Sequence, residues 1–497
     1  MQSIVELANN TSVYEVASVT ELELAHQLSQ RTQNNIYLKR EDELEIHAFK
    51  LRGAYQKISG LSSEQRAKGV VASSAGNHAQ GVALSAQKLG IEAIIVMPVS
   101  TPKIKVNAVE RLGAKVVLHG DVYDDAYQYA KQLEQDQDLV FIHPYDDLEV
   151  MAGQATIAKE LLEQCQTIDK VFIPVGGGGL IAGMAAYIKH YRPEIQVIGV
   201  EPEDSPTLYQ ALKDGKRTVL PEVGRFADGV AVKQIGEKTY EIAKTVVDDV
   251  VLVSNDEICA AIKDIYEDVR SISEPAGALA TAGVKKYIEL HQLQNENLVS
   301  VVSGANVNFD RLRYIAERAD LGEHNEAIFA VTIPEQPGSF LRFCQMLDNH
   351  AITEFNYRYG SNDQARIFVG VALTGGLEEK QQLLDKLSNV FDVLDMSDNS
   401  IAKTHIRYMV GGRSDCGNEL LYRFEFPERP GALLKFLIKI GAQWNISLFH
   451  YRNHGADFGR VLIGLQADDA KALEKKFDEL GYFYQNETDN KAYQYFL

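Results

Sequence analysis

Cysteine is scarce and scattered. The four cysteines, Cys165, Cys259, Cys344 and Cys416, form no CxxC pair, which excludes both a zinc-ribbon spacing and a disulfide framework. That usage fits a reducing compartment, and a cytoplasmic protein is expected. Long apolar runs are missing as well. No stretch approaches the roughly 18 consecutive apolar residues that a membrane span needs, so no membrane association is expected. The first ten residues, Met-Gln-Ser-Ile-Val-Glu-Leu-Ala-Asn-Asn, carry neither a basic segment nor an apolar core, and no signal peptide is expected. Positive charge is in deficit: 50 Lys and Arg face 69 Asp and Glu, a net charge of −19. A surface of that sign repels polyphosphates, so nucleic acid is not an expected partner. No metal is expected either.

What remains is an ordinary globular mixture, 45% hydrophobic and 24% charged over 497 residues. That length predicts about three domains. From residue 35 to 305, short β-rich runs alternate with helical patterns. The strand candidates are 36–38, 69–72, 93–97, 115–119, 140–142, 170–175, 196–201, 250–253 and 298–302, with helical stretches such as 79–89 and 180–190 between them. Such alternation predicts an α/β fold with parallel sheets covered by helices. Ligands then lie on the loops after the strands' carboxyl ends. A polar stretch with a glycine stop signal, residues 315–327, is the expected domain boundary. The expected catalytic region is therefore 1–320, with a smaller α/β subdomain at about 45–145.

Beyond the boundary the chain repeats itself. Pro334-Glu-Gln-Pro-Gly338 returns as Pro427-Glu-Arg-Pro-Gly431, and Phe355-Asn-Tyr-Arg358 returns as Phe449-His-Tyr-Arg452. In the first copy the patterns read strand 329–333, helix 340–347, strands 353–359 and 367–373, helix 378–387 and a last strand. The order βαββαβ is a ferredoxin-like unit. The two repeats are expected at 327–398 and 419–493. They serve either subunit contacts or ligand binding. Tyr357, Arg358, Tyr451 and Arg452 fall on equivalent strands and are candidate effector contacts, with buried packing as the alternative.

The strongest local signal is Val171-Phe-Ile-Pro-Val-Gly-Gly-Gly-Gly-Leu180. A strand runs into four glycines and then a helix. Backbone amides at Gly176, Gly177, Gly178 and Gly179 can approach an anion closely, and the helix N-terminus adds about half a positive charge. The segment thus reads as a phosphate cradle. No Lys-Ser/Thr follows, which excludes a Walker loop. Gly177-x-Gly179-x-x-Ala182 also fits a dinucleotide fingerprint, with Glu201 at the spacing of a ribose-binding acid. A nicotinamide-dependent oxidoreductase is therefore one alternative. Lys50 closes a turn and opens a helix; a buried lysine there becomes a Schiff-base nucleophile, an exposed one a surface charge. Ala72-Ser-Ser-Ala-Gly-Asn-His-Ala-Gln80 follows another strand, where exposed amides could hold a carboxylate and Asn77 could donate a hydrogen bond. Ser303 ends a strand, where a hydroxyl bonds a heterocyclic nitrogen or caps a helix. Glu274 precedes a helix, a position more often taken by a cap-region carboxylate than by a catalyst.

Taken in order, the segments Tyr37-Leu-Lys-Arg-Glu-Asp42, Phe49-Lys-Leu-Arg-Gly-Ala54, Ser74-Ala-Gly-Asn-His-Ala-Gln-Gly81, Val175-Gly-Gly-Gly-Gly-Leu180, Ala227-Asp-Gly-Val-Ala231, Glu274-Pro-Ala-Gly277 and Ser303-Gly-Ala-Asn306 carry a resemblance. So do the Pro-Glu-x-Pro-Gly repeats and Arg407-Tyr-Met-Val-Gly-Gly412. The chain resembles the pyridoxal-phosphate enzymes of the tryptophan-synthase-β type (fold type II), and within them the biosynthetic threonine dehydratases. The resemblance implies that Lys50 holds pyridoxal 5'-phosphate as a Schiff base. Gly176–Gly179 and Leu180 would cradle the phosphate, Asn77 would bond the ring hydroxyl, and Ser303 the ring nitrogen. Ser74, Ala75, Gly76 and His78 belong to the loop expected to hold the substrate carboxylate, with Gly229 and Glu274 near the ring. Implied too are L-threonine as substrate, isoleucine as inhibitor and valine as activator acting on two ACT-like repeats, and a homotetramer.

One stretch departs from the family. Leu44-Glu-Ile-His-Ala-Phe-Lys50 stands where the family usually shows Gln-Pro-Val-His-Ser-Phe-Lys. The acidic run before it is expected to alter the loop that closes over the substrate. A serine dehydratase or a serine racemase-like enzyme is accordingly a second alternative. A non-catalytic amino-acid sensor is a third, opposed by the intact Lys50, Asn77 and Ser303.

Overall fold

A computed structural model describes residues 1–334, 343, 346, 347, 350, 352–359, 364–408, 418–427, 444–452 and 458–496. The chain divides into two compact units, Met1–Asn308 and Phe309–Leu497. The division thus falls a few residues before the stretch 315–327 read as the boundary, and Arg311–Gly322 is a helix of the second unit on which Tyr314, Ile315, Ala319 and Leu321 are buried.

The first unit holds strands β1 (Leu22–Leu24), β2 (Asn35–Arg40), β3 (Val70–Ser73), β4 (Ala93–Met97), β5 (Lys115–Leu118), β6 (Val140–Phe141), β7 (Lys170–Pro174), β8 (Gln196–Pro202), β9 (Asp249–Val253) and β10 (Asn297–Val302). They form two sheets. The larger runs β1-β2-β10-β7-β8-β9 and the smaller β5-β4-β3-β6. Every pairing is parallel except β1 with β2. Parallel strands are covered on both faces, which is why they read as unbroken apolar runs. Residues Val171, Ile173, Val299 and Val301 of the large sheet are fully buried against Met151, Ala155, Ile181 and Ala185 of the helices Leu148–Gln164 and Gly179–Tyr191. The small sheet is packed likewise: Val70, Ala72 and Ile95 join one core, Val71 and Val96 another.

The second unit holds two four-stranded antiparallel sheets. Strands β11 (Glu326–Pro334), β12 (Ile352–Tyr359), β13 (Gln364–Ala372) and β14 (Asp392–Asp395) run β12-β13-β11-β14. Strands β15 (Glu419–Pro427), β16 (Asn445–Arg452), β17 (Phe458–Gln466) and β18 (Phe483–Asn486) run β16-β17-β15-β18. The order is the same in both, as a duplicated ferredoxin-like unit requires. Even the irregularity repeats: pairing shifts between Ile352 and Glu354 in one copy and between Ile446 and Leu448 in the other. Helices Gly376–Ser388 and Ala470–Leu480 cover one face of each sheet through Leu383, Leu387, Leu473 and Phe477. The other faces share a core in which Ile328, Ala330 and Phe368 meet Leu421 and Leu462. Most of the Pro-Gly turns and of the 340–347 helix, and residues 409–412 of the Arg407 motif, lie outside the described residues.

Candidate active site

The site begins with how the backbone places Lys50. Strand β10 ends at Val302 beside Arg40 of β2. The next residues clamp the segment before the lysine. The Ser303 carbonyl accepts from Phe49 N at 3.1 Å, and Ala305 N donates to the His47 carbonyl at 2.9 Å. Ala48 and Gly304 form a bridge between these hydrogen bonds. His47 turns the chain with φ of 54°, a left-handed conformation that only surrounding contacts sustain in a non-glycine residue. Lys50 therefore opens its helix, Lys50–Ser59, next to Ser303.

The unusual stretch before the lysine does not lengthen a helix. The acidic run makes only a 3₁₀ turn, Glu41–Glu43. Leu44, Ile46 and Ala48 then point inward, Leu44 against Val13 and Ala17, and Ile46 and Ala48 against Leu51 and Leu84. Asn306 Nδ2 donates to the Ile46 carbonyl at 2.7 Å. Of the residues that depart from the family, Leu44 and Ala48 thus anchor the segment by apolar burial, whereas Glu45 is exposed.

Lys50 as a whole residue keeps some exposure, but its amine is buried. Its Nζ donates to the Pro144 carbonyl at 2.8 Å and lies 5.1 Å from the Phe49 ring centroid. Burial lowers its pKa to about 8, against the opposing pull of Glu274. Two residues on, Arg52 is fully buried and fastens the same helix. Its guanidinium bonds Glu41 at 2.7 and 2.9 Å and Glu160 at 2.5 and 3.1 Å. Lys39 closes the network on Glu160 at 2.6 Å.

After β3 the chain turns, with Gly76 N donating to Ser74 Oγ at 3.2 Å, and enters the helix Asn77–Leu89. Asn77 has a fixed amide: Nδ2 donates to Glu274 Oε1 at 2.6 Å, and Oδ1 accepts from Asn306 Nδ2 at 2.8 Å. His78 is buried beneath this turn, its Nε2 bonded to the Ile142 carbonyl at 2.9 Å and its Nδ1 without a hydrogen-bond partner. Burial, and then Lys50, push its pKa down to about 3, so the ring is neutral. Ala75 and Gly76 are half-buried beside it. Ser303 is 3% exposed, and its Oγ donates to the Ala276 carbonyl at 3.3 Å. Gly229 belongs to the 3₁₀ turn Asp228–Val230; a Cβ there would stand 3.7 Å from Glu274 Oε1.

The glycine turn follows β7. Gly178 has φ of +89°, which L-residues rarely adopt, and the helix Gly179–Tyr191 starts at the next residue. Side chains are excluded around it. A Cβ at Gly177 would collide with the Tyr145 ring, and one at Gly176 would lie 2.8 Å from Val230 Cα. The turn is braced from outside: the Gly176 carbonyl accepts from Thr207 Oγ1 at 2.9 Å and the Gly177 carbonyl from Thr239 Oγ1 at 2.7 Å. Leu180 is buried behind it.

Glu201, the acid of the dinucleotide alternative, is fully buried and committed elsewhere. It accepts from Thr207 Oγ1 at 2.9 Å and from Leu208 N and Tyr209 N at 2.8 Å each, capping the helix Thr207–Asp214. No ribose can reach it, and the oxidoreductase alternative loses its second half. Lys50, Asn77, Glu274 and Ser303 are brought together: the Ser303 carbonyl holds Phe49 N beside Lys50, Glu274 N donates to the Gly304 carbonyl, and Asn77 Nδ2 donates to Glu274 Oε1. Asn306 stood within a quoted motif, yet its part in orienting Asn77 was missed. Arg52 likewise stood within a quoted motif with no role given to it, and Pro144 and Tyr145 carried no signal. On the surface, Glu21, Glu23 and Glu43 approach one another, but Arg40 pairs with two of them, Glu23 at 2.7 Å and Glu43 at 3.6 Å. Candidate effector residues Tyr357, Arg358, Tyr451 and Arg452 lie on β12 and β16; their side chains are outside the described residues.

These residues fit pyridoxal phosphate. A glycine turn that admits no side chain stands at a helix N-terminus, a buried lysine has a depressed pKa, and a buried hydroxyl ends the neighbouring strand. Fold and site together define a pyridoxal-phosphate enzyme. Comparison with known proteins agrees. Residues 13–304 match the family described as pyridoxal-phosphate dependent enzyme, and residues 317–406 and 410–497 match the C-terminal regulatory domain of threonine dehydratase. The L-threonine dehydratase biosynthetic IlvA of Pasteurella multocida is 56% identical over 98% of this chain and 96% of its own length. Among solved structures, the processed threonine deaminase isoform 2 of Solanum lycopersicum matches with 47% identity and a TM-score of 0.64, covering 64% of this chain and 88% of that one. Serine racemase from Dictyostelium discoideum matches at 31% identity and a TM-score of 0.58, covering 62% and 98%. The chain belongs to the biosynthetic threonine dehydratases, lyases that depend on pyridoxal phosphate and carry a duplicated regulatory domain.

Proposed function

We propose that the protein eliminates water from L-threonine and releases 2-oxobutanoate and ammonia, as the committed step toward isoleucine. The observation that carries the reading is that the segment ending in Lys50 is clamped to the end of β10, with Phe49 N donating to the Ser303 carbonyl and Ala48 bridged to Gly304, so that the lysine and a strand-end hydroxyl stand on joined segments. Bound pyridoxal phosphate supplies the electron sink that acidifies the substrate's Cα proton. The rest is the work of this chain. Lys50 holds the cofactor and, once displaced by the substrate amine, takes the Cα proton at Nζ. With a pKa of about 8 that amine is a competent base near neutrality. Ser303 Oγ meets the ring nitrogen as a hydroxyl. A carboxylate there would hold the nitrogen protonated and deepen the sink; a hydroxyl keeps it shallow and favours prompt elimination. Asn77, its amide oriented by Asn306 and Glu274, donates to the ring hydroxyl. The amides of Gly176–Gly179, with Leu180, hold the phosphate. Ser74, Ala75, Gly76 and His78 form the turn that takes the substrate carboxylate, and a neutral His78 adds no competing charge. Gly229 leaves room over the ring beside Glu274.

The two C-terminal repeats bind isoleucine, which inhibits, and valine, which activates. Duplication supports a pair of like sites: Tyr357 pairs with Ile367 and Arg358 with Arg366, while Tyr451 pairs with Val461 and Arg452 with Arg460. A homotetramer in the cytoplasm is part of the same reading. No described helix is long and apolar enough to cross a membrane.

The second reading, a serine dehydratase or racemase, is favoured only by the altered segment 44–48. Rates of 2-oxo acid formation from L-threonine and L-serine, with the chirality of residual serine, separate the two. Faster turnover of threonine and unchanged serine chirality are expected; racemised serine with little threonine turnover overturns the proposal.

A further inference from the structure

The helix Glu237–Val246 has no cap from its own segment, because its N-cap residue is Gly236. The cap arrives from across the fold. Asp146 accepts from Glu237 N at 3.1 Å, Lys238 N at 2.8 Å and Thr239 N at 3.2 Å. These are amides that a helix start leaves unpaired, and a carboxylate satisfies them while facing the positive end of the helix. The consequence reaches the glycine turn. Thr239 is fully buried, and its Oγ1 donates to the Gly177 carbonyl at 2.7 Å. Gly236 N donates to the same carbonyl at 3.2 Å. Both grips on Gly177 therefore come from the turn that Asp146 organises. Asp146 is held in its own place by His143, whose Nδ1 accepts from Asp146 N at 2.8 Å. Burial lowers the His143 pKa to about 4, so that acceptor persists at neutral pH. The segment carrying both residues follows β6 of the small sheet, whereas the glycine turn follows β7 of the large one.

We propose that Asp146 is a positioning residue for the cofactor: through Thr239 and Gly177 it holds the turn Gly176–Gly179 in the shape that accepts a phosphate monoester, without touching that ligand itself. The carboxylate faces the positive end of the helix, which offsets part of its negative charge. This inference rests on the reading of the glycine turn as the phosphate cradle.

The test compares two ligands that differ only in the phosphate. Apoprotein is titrated by equilibrium dialysis with pyridoxal 5'-phosphate and with pyridoxal, for the parent, Asp146→Ala and Thr239→Val. The parent is expected to prefer the phosphorylated ligand. Asp146→Ala, losing one cap, is expected to weaken pyridoxal phosphate about tenfold and to leave pyridoxal unchanged. Thr239→Val keeps the cap, removes only the side-chain grip on Gly177, and is expected to weaken the same preference. Equal weakening of both ligands would make Asp146 a general scaffold residue and overturn the proposal, as would no weakening of either. Should Asp146→Ala fail to fold, Thr239→Val carries the same three outcomes. A parent that binds both ligands alike would instead remove the cradle reading, and this proposal with it.

Discussion

The buried Lys50 amine sets a pH dependence that can be worked out in advance. Only the neutral amine attacks an aldehyde. At a pKa of about 8, about one Lys50 in ten is neutral at pH 7, whereas an ordinary lysine near 10.4 offers about one in 2,500. Burial thus gives about 200-fold more reactive amine, equivalent to about 3 kcal/mol. The sign follows from the cause: low dielectric disfavours the ammonium, so the pKa falls. The assay is stopped-flow capture of pyridoxal phosphate by the apoprotein across pH 6 to 10, followed by visible absorbance, with free Nα-acetyl-lysine run alongside as the unburied control. Capture by the protein is expected to rise about tenfold per pH unit below 8 and to level off above it. Glu274 opposes the shift, so Glu274→Gln is expected to move the bend to lower pH. A parent rate still climbing tenfold per unit between pH 9 and 10 would refute the buried-base reasoning.

Other substitutions probe the remaining parts. Ser303→Asp is expected to protonate the ring nitrogen, shift the bound cofactor's absorbance and slow elimination; an unchanged spectrum with unchanged turnover counts against the role given to the hydroxyl. Arg52→Met leaves Glu41 and Glu160 buried without their main cation, and denaturant unfolding of the full chain is expected to show a loss of about 3–5 kcal/mol; a loss below about 1 kcal/mol would mean the network relaxes or admits water. Tyr357→Ala and Tyr451→Ala are expected to move the isoleucine concentration for half-inhibition upward, within the 5–150-fold range of ordinary allosteric coupling; inhibition intact in both variants removes the proposed effector contacts.

The parallel core was legible because its strands are buried on both faces and so read as uninterrupted Val and Ile runs. Strand β1 was not, since three residues on an antiparallel edge leave no periodicity to detect. The helix Arg311–Gly322 was read as a polar boundary because most of its residues are charged or small, and its few buried positions are diluted among them. The glycine turn announced itself, since consecutive glycines have few structural uses. Glu201 misled for a physical reason: an acid at the end of a strand serves a ribose or a helix cap equally well, and only the third dimension shows Leu208 N and Tyr209 N converging on it. The supports of the site were invisible for the same reason. Arg52 with Glu160, Asn306 with Asn77, and Asp146 with Thr239 are pairs far apart in sequence, and no local pattern links them.

The catalytic reading, built on Lys50 and Ser303, and the regulatory reading, built on the duplicated sheets, converge on one assay. Purified protein is given L-threonine, and 2-oxobutanoate is measured with and without isoleucine. Turnover that isoleucine suppresses is the predicted result, and it would establish the reaction and the regulatory half together. Absence of 2-oxobutanoate from the cofactor-loaded protein would contradict the account at its centre.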